Sequence, residues 1–359
     1  MTMARVRVLV VEDSLTVRKH LCEVLAREPE LELAGEAENG RRAIELCREL
    51  RPDVVTMDMM LPVMSGLAAT EYIMAHCPTP ILVVSSSTNR GELFKTYDAL
   101  AAGAVDVLEK PLGDESDGAW ERRFVSTLKL VSRIRVITHL RARLGPLGRP
   151  RQEGVPVALR AARPHGFKAV AVGASTGGPS ALVAVLRALP PEFALPLLIV
   201  LHISEPFGVA FAEWLDGQTG RRVAYARDGE PLDSAAGRVV MAPPERHLTI
   251  SDGRFRLTRD AERHSCRPSV DVLFESIAKE LGSAAAACLL TGMGRDGALG
   301  LLEIRRAGGL TIAQDEATSV VYGMPREAVL LGAAESVLPL DGIGPALASL
   351  AASDHGARR

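Results

Sequence analysis

Aromatic residues make up only 4% of this 359-residue chain, and cysteines number five. So few rings leave little from which to build a base-stacking platform for nucleic acid. The cysteines, Cys22, Cys47, Cys77, Cys266 and Cys288, are odd in number, widely spaced and form no C-x-x-C pair. Neither a disulfide framework nor a zinc site is indicated, and each reads as a small core hydrophobe. Charge of one sign is lacking too: 42 Lys and Arg face 44 Asp and Glu, a net charge of −2. Nucleic-acid binders usually carry a markedly basic domain. No apolar run approaches the roughly 18 residues of a membrane span. Val8 to Val11, after Met1 to Arg7, is also shorter than a signal-peptide core of about 7–15 residues. The expectation is a reduced, cytoplasmic chain with no nucleic-acid partner and no membrane insertion.

What is there is a globular composition, 47% hydrophobic and 24% charged, at a length that suits two domains of about 150 residues each. One stretch breaks the alternation of apolar elements. Residues 145–166, GPLGRPRQEGVPVALRAARPHG, hold four Gly, four Pro and four Arg against one acid, the composition of a linker. Before it, Phe124, Leu128, Val131, Ile134, Ile137 and Leu140 recur at helical spacing within 121–144. The expected organisation is a first domain over 1–125, a helical extension and flexible linker over 126–166, and a second domain over 167–350.

In the first domain, strand candidates at 7–11, 31–37, 54–57, 81–84 and 105–108 alternate with helical patterns such as 15–26 and 41–50. Such alternation predicts a doubly wound parallel sheet, whose ligands bind beyond the carboxyl ends of the strands. Glu12 and Asp13 follow the first strand, Asp58 the third, Ser85 the fourth and Lys110 the fifth. Singly, an acid after a strand often only caps a helix. Jointly, three carboxylates in one crevice call for a cation, and hard oxygen ligands suit Mg²⁺. The lysine and the hydroxyl fit an anionic group bound beside it.

This constellation resembles the receiver domain of two-component response regulators, through VVEDS (10–14), TMDMMLPVMSG (56–66), VVSSS (83–87) and EKP (109–111). The resemblance implies a flavodoxin-like fold with Asp58 as phosphoacceptor. It also implies Mg²⁺ held by Glu12, Asp13, Asp58 and the Met60 carbonyl, Ser85 as switch hydroxyl and Lys110 as phosphate-binding cation. Many receivers carry an aromatic three residues before the lysine; here Val107 stands there, so relay through an aromatic rotamer is not expected.

The second domain opens with a strand running into Gly173-Ala174-Ser175-Thr176-Gly177-Gly178-Pro179. The spacing is not the G-x-G-x-x-G of dinucleotide binders, but it satisfies G-x-S-x-G, which exposes a serine hydroxyl beside helix amides. His202 follows the next strand, 197–201, and Asp296 follows the strand 286–290 within TGMGRDG. A nucleophile, a base and an orienting carboxylate, each just beyond a strand, follow the logic of a catalytic triad. The order Ser, His, Asp differs from the Ser, Asp, His of α/β-hydrolases, so another scaffold is expected.

With ARDGEPL (226–232), RPSVDVLF (267–274), AGG (307–309) and IAQDEATSVVYGMPREAV (312–329), these motifs resemble the chemotaxis response-regulator protein-glutamate methylesterases. The resemblance implies a Rossmann-like α/β esterase domain, with Ser175 as nucleophile, His202 as general base and Asp296 as orienting carboxylate. Thr176 and the Met293 amide line the site, the latter as an oxyanion donor. It implies demethylation of glutamate esters, and deamidation of glutamines, on methyl-accepting chemoreceptors. A chemotaxis histidine kinase is the implied phosphodonor, and phosphorylation of Asp58 is expected to relieve cover of the catalytic site. No cofactor is implied in the esterase domain. His247, His264, Cys266 and Cys288 receive no role. Family members often show Gln-His-Met-Pro around the histidine; this chain has Leu201-His202-Ile203-Ser204. Two other outputs for a receiver are a docking module and a DNA-binding helix-turn-helix, but the only basic stretch is the Pro- and Gly-broken linker.

Overall fold

The computed structural model describes residues 5–86, 89–111, 118–134, 136 and 166–352. Two compact units divide the chain, residues 1–150 and 151–359. Most of the linker read at 145–166, and Ser87 of the 83–87 motif, lie outside the described residues.

In the first unit, β1 (Val6–Val11), β2 (Leu31–Ala37), β3 (Val54–Met57), β4 (Ile81–Ser85) and β5 (Asp106–Glu109) alternate with five helices. These are α1 (Leu15–Arg27), α2 (Gly40–Leu50), α3 (Gly66–His76), α4 (Arg90–Ala101) and α5 (Ala119–Val131). The sheet is parallel, in the order β2-β1-β3-β4-β5, a flavodoxin-like winding. Its strands are apolar on both faces because helices cover both. Val8 and Val10 join Leu82 and Val84 on one side, while Leu9 and Val11 join Val55, Met57 and Val83 on the other. Each such side chain, buried completely, contributes roughly 1.5–3 kcal/mol. Asn39 and Ser65 cap α2 and α3 by accepting the Arg42 and Ala68 N–H groups.

The helix expected over 121–144 ends at Val131, where the Ser132 and Arg133 N–H groups turn back onto Leu128 and Leu130 carbonyls. The apolar spacing runs on to Leu140; within the described residues Trp120 to Val131 is seated in the sheet's core and Ile134 packs against it. Of residues 135–144 only Val136 is described, packed at the edge of that core. The boundary read at 125 thus falls inside α5, whose Leu128 and Val131 are fully buried.

In the second unit a seven-stranded parallel sheet has the order β14-β13-β12-β6-β7-β9-β8. Its strands are β6 (Ala169–Ala174), β7 (Leu197–Leu201), β8 (Val223–Tyr225), β9 (Val239–Met241), β12 (Ala285–Leu289), β13 (Leu310–Gln314) and β14 (Ser336–Leu338). An antiparallel hairpin, β10 (His247–Ser251) with β11 (Arg254–Thr258), stands apart. The helices are α6 (Gly178–Ala188), α7 (Glu205–Gly208), α8 (Phe211–Thr219), α9 (Val270–Leu281), α10 (Ala298–Arg306), α11 (Met324–Leu330) and α12 (Leu340–Ala352). The order of strands reverses around β6, which pairs with β7 on one side and β12 on the other. That reversal opens a crevice beyond the strands' carboxyl ends.

Candidate functional site

The three residues read as a triad lie at that crevice. β6 and β7 pair in register with Ala174 opposite Leu201, so the next residues, Ser175 and His202, leave the sheet side by side. The His202 N–H donates to the Ala174 carbonyl at 3.0 Å, fixing the start of its loop. Gly177, at φ +76°, turns the chain from Ser175 into α6, and a Cβ there would lie 2.6 Å from Val320. Only glycine suits both the conformation and the space.

Asp296 arrives from the other flank, on the loop after β12. It does not cap α10 beside it; it caps α9. Its carboxylate accepts the Val270 N–H at 2.7 Å, the Asp271 N–H at 3.0 Å and the Ser269 hydroxyl at 2.8 Å. Its fourth partner is His202 Nε2, at 2.9 Å. Burial alone pushes a carboxyl upward, but the His202 bond and charge and the two amides outweigh it and hold Asp296 below its ordinary range. The pairing acts equally on the base. Burial lowers His202, yet Asp296 first and Cys266 second carry it up to about 9. With Nε2–H donated to the carboxylate, Nδ1 is the nitrogen left to accept a proton.

Ser175 Oγ makes no hydrogen bond among the described residues, and the His202 Nδ1 faces Cys266 Sγ at 3.7 Å. The Ser175 N–H donates to Thr291 O at 3.0 Å, and the Thr291 hydroxyl donates to Thr176 O at 3.0 Å. Serine turn and TGMGRDG loop are thereby laced together. Among the described residues neither the Thr176 nor the Met293 backbone N–H is hydrogen-bonded. The Met293 side chain itself is exposed.

Behind Asp296 stands a further layer that the sequence did not announce. His247 is buried and accepts the Ser269 N–H at 3.1 Å. Asp271, also buried, accepts the Gly300 N–H at 2.6 Å and pairs with His264 at 3.0 Å. Cys266, given no role from its sequence position, touches the proposed base. The signal was the RPSVDVLF stretch, which is a helix start whose cap serine also holds the Asp296 carboxylate.

The first unit holds a second strand-end cluster. Ligand oxygens of Glu12, Asp13 and Asp58 lie within 4.8 Å of one another. Lys110 Nζ is 2.9 Å from Glu12 Oε2 and 3.1 Å from Asp58 Oδ2. Burial raises the Glu12 and Asp58 carboxyls above their usual range in spite of the lysine. Lys110, which burial would lower, is raised instead by the charges and hydrogen bonds of Asp58 and Glu12. One cation against three acids leaves an excess of negative charge, and the buried Glu12 Oε2, though ion-paired, has no hydrogen bond. An all-oxygen donor set with that excess fits a hard divalent ion. The Met60 N–H bonds Asp58, while the Met60 side chain lies at the surface. Ser85 is buried, and its hydroxyl donates to Ser86 O at 3.4 Å rather than to Asp58. Gly66 packs so closely that a Cβ would sit 1.9 Å from the Asp58 carbonyl, so only glycine lets α3 start beneath this loop. Val107 is half-buried on β5.

Comparison with known proteins gives the following likenesses. A family model described as CheB methylesterase matches residues 170–347, and one described as the response regulator receiver domain matches residues 8–116. The chain is 46% identical over 345 residues to protein-glutamate methylesterase/protein-glutamine glutaminase 2 of Anaeromyxobacter dehalogenans, covering 96% of this chain and 97% of the relative. It is 42% identical over 351 residues to protein-glutamate methylesterase/protein-glutamine glutaminase of Nitrosospira multiformis, covering 97% of each. Among solved structures, the catalytic domain of Thermotoga maritima CheB methylesterase is 35% identical, with a TM-score of 0.49, covering 52% of this chain and 100% of that one.

Proposed function

This chain belongs to the protein-glutamate methylesterase/protein-glutamine glutaminase family, and from that premise we propose which residues perform its reaction and how they divide the work. The enzyme is a hydrolase of protein glutamate methyl esters and glutamine amides, regulated through a phosphorylated receiver domain. Its substrates are methyl-accepting chemoreceptors, its phosphodonor is a chemotaxis histidine kinase, and it works in the cytoplasm. Among the described residues no helix is long and apolar enough to cross a membrane.

Ser175 is the nucleophile, His202 the base and Asp296 the orienting carboxylate. The observation that carries this reading is the relay from the α9 N-terminus through Asp296 to His202 Nε2, with Ser175 in the neighbouring register position. As Ser175 Oγ attacks the ester carbonyl, Nδ1 takes its proton and Asp296 stabilises the imidazolium. Hydrogen bonds of such groups are often loose without substrate and tighten around it. The Thr176 and Met293 N–H groups receive the oxyanion, a donor being worth about 3–4 kcal/mol. His202 protonates the leaving methanol, or ammonia from glutamine, then deprotonates the water that releases glutamate. The esterase domain uses no cofactor in these steps.

In the receiver, Asp58 attacks the phosphorus of the kinase's phosphohistidine, forming an acyl phosphate as the P–N bond breaks and the imidazole leaves. Glu12, Asp13, Asp58 and the Met60 carbonyl would hold Mg²⁺, which would supply positive charge to neutralise the phosphoryl group. Lys110 binds the phosphoryl oxygens and Ser85 turns its hydroxyl toward them. Methanol release from methylated receptor membranes tests the assignment. Ser175→Ala abolishes it, along with labelling by a fluorophosphonate probe; full release by that variant sinks the nucleophile.

A further inference from the structure

Cys266 is the part of the C-terminal crevice that the triad does not use. It is half-buried, its Sγ lying 3.7 Å from His202 Nδ1 and 3.4 Å from the His264 carbonyl. The opposite ring nitrogen is held by Asp296, and ligand atoms of His202, Cys266 and Asp296 lie within 4.8 Å of one another. A thiol and an imidazole are the ligands of borderline-soft d¹⁰ ions. Zinc bonds to sulfur at about 2.3 Å and to imidazole nitrogen at about 2.0–2.1 Å, which at a tetrahedral angle puts the two atoms about 3.6 Å apart. The separation of Nδ1 and Sγ here matches that edge. A zinc-binding histidine almost always gives its other N–H to a carboxylate, a backbone carbonyl or water, which sets the tautomer and raises ligand basicity. Asp296 already fills that place, fixed by Ser269 and the α9 amides.

We propose that Cys266 Sγ and His202 Nδ1 form an inhibitory site for a thiophilic divalent ion such as Zn²⁺, with Asp296 as the carboxylate behind the imidazole and solvent in the remaining positions. On binding, the thiol releases its proton to water and the sulfur and Nδ1 lone pairs bond the ion. Nδ1 then cannot accept the Ser175 proton, and a chelator reverses the block. The inhibition rests on His202 being the base; the binding does not. Sequence spacing hides the site, since 64 residues separate its ligands.

The test uses the full chain with excess Mg²⁺ occupying the receiver carboxylates and free Zn²⁺ set by a chelator buffer. Methanol release is scored against each protein's own zinc-free rate. The wild type is inhibited and recovers with a zinc-selective chelator, and Cys266→Ser needs about tenfold more zinc or higher for equal inhibition. Co²⁺ gives a thiolate charge-transfer absorption in the wild type and in Ser175→Ala that is weaker in Cys266→Ser, the other four cysteines being common to all. In the unaltered chain, Zn²⁺ also slows alkylation of Cys266 by iodoacetamide, read by peptide mass. Equal inhibition of both proteins, identical cobalt spectra or unprotected alkylation overturns the proposal. A Cys266-dependent cobalt spectrum together with an active Ser175→Ala keeps the metal site and removes the triad.

Discussion

Asp58 and Asp296 are each 2% exposed and each sits beyond a strand of a parallel sheet, yet their carboxyls are displaced in opposite directions. Asp296 is met by two helix amides, a hydroxyl and an imidazole, enough to overcome burial. Asp58 has Lys110 and one amide, and it shares its crevice with Glu12 and Asp13. Burial wins at one and loses at the other because of the partners. A carboxylate held charged suits a permanent orienting role, whereas one that is undercompensated suits a site that takes up a cation and a phosphoryl group.

Exchanging each acid for its amide breaks the comparison most sharply. Asp296→Asn removes the charge that stabilises the imidazolium, and methanol release falls about 10³–10⁴-fold. Asp58→Asn leaves the proposed triad intact but removes the proposed phosphoacceptor, so the rise in rate on adding a phosphodonor disappears. Thermal unfolding separates them further. Asp296→Asn lowers the transition of the C-terminal unit, since a satisfied anion is lost. Asp58→Asn raises that of the N-terminal unit in Mg²⁺-free buffer, since an undercompensated one is relieved. Shifts of the same sign in both units contradict the electrostatic distinction.

The two sites were also unequally legible. Glu12, Asp58 and Lys110 can be found from sequence because each ends a clear apolar strand and parallel winding brings those ends together. Ser175 and His202 share that logic, being cross-strand neighbours. Asp296 was readable as a site residue but not as the cap of α9. Its local position points to the helix starting at Ala298, whereas its α9 partners, Ser269 to Asp271, lie 25 to 27 residues upstream. Cys266 was missed for the same reason, because nothing local to residue 266 tells that its loop folds over His202. The helix read to Leu144 is seen as far as Val131, and most of 135–144 lies outside the described residues.

A smaller effect is expected from pH. As the proposed base His202 works only when neutral, and Asp296 and Cys266 hold its folded value up near 9 against burial. The rate therefore climbs with pH through that region instead of levelling off near 6.5. For stability the sign is opposite: a raised histidine contributes fully below its unfolded value of about 6.5, and that contribution is lost as pH rises toward 9. In Asp296→Asn the residual rate levels off at lower pH, and an unmoved profile removes Asp296 as the cause.

The smallest expected change comes from Ser269, which touches no reacting atom but gives its hydroxyl to Asp296 and accepts the Val272 N–H. Ser269→Ala loses the cap and one bond to the carboxylate, costing about 1–2 kcal/mol of stability. With one of four partners gone, Asp296 stays ionised where His202 titrates, and its less neutralised charge acts more strongly on the imidazolium. The kinetic base then titrates at higher pH, and kcat at neutral pH falls severalfold with KM little changed. Ser269→Thr keeps the hydroxyl and restores both. A purely structural serine gives the loss of stability without the displaced pH profile, and that split decides whether α9 tunes the triad or only carries it.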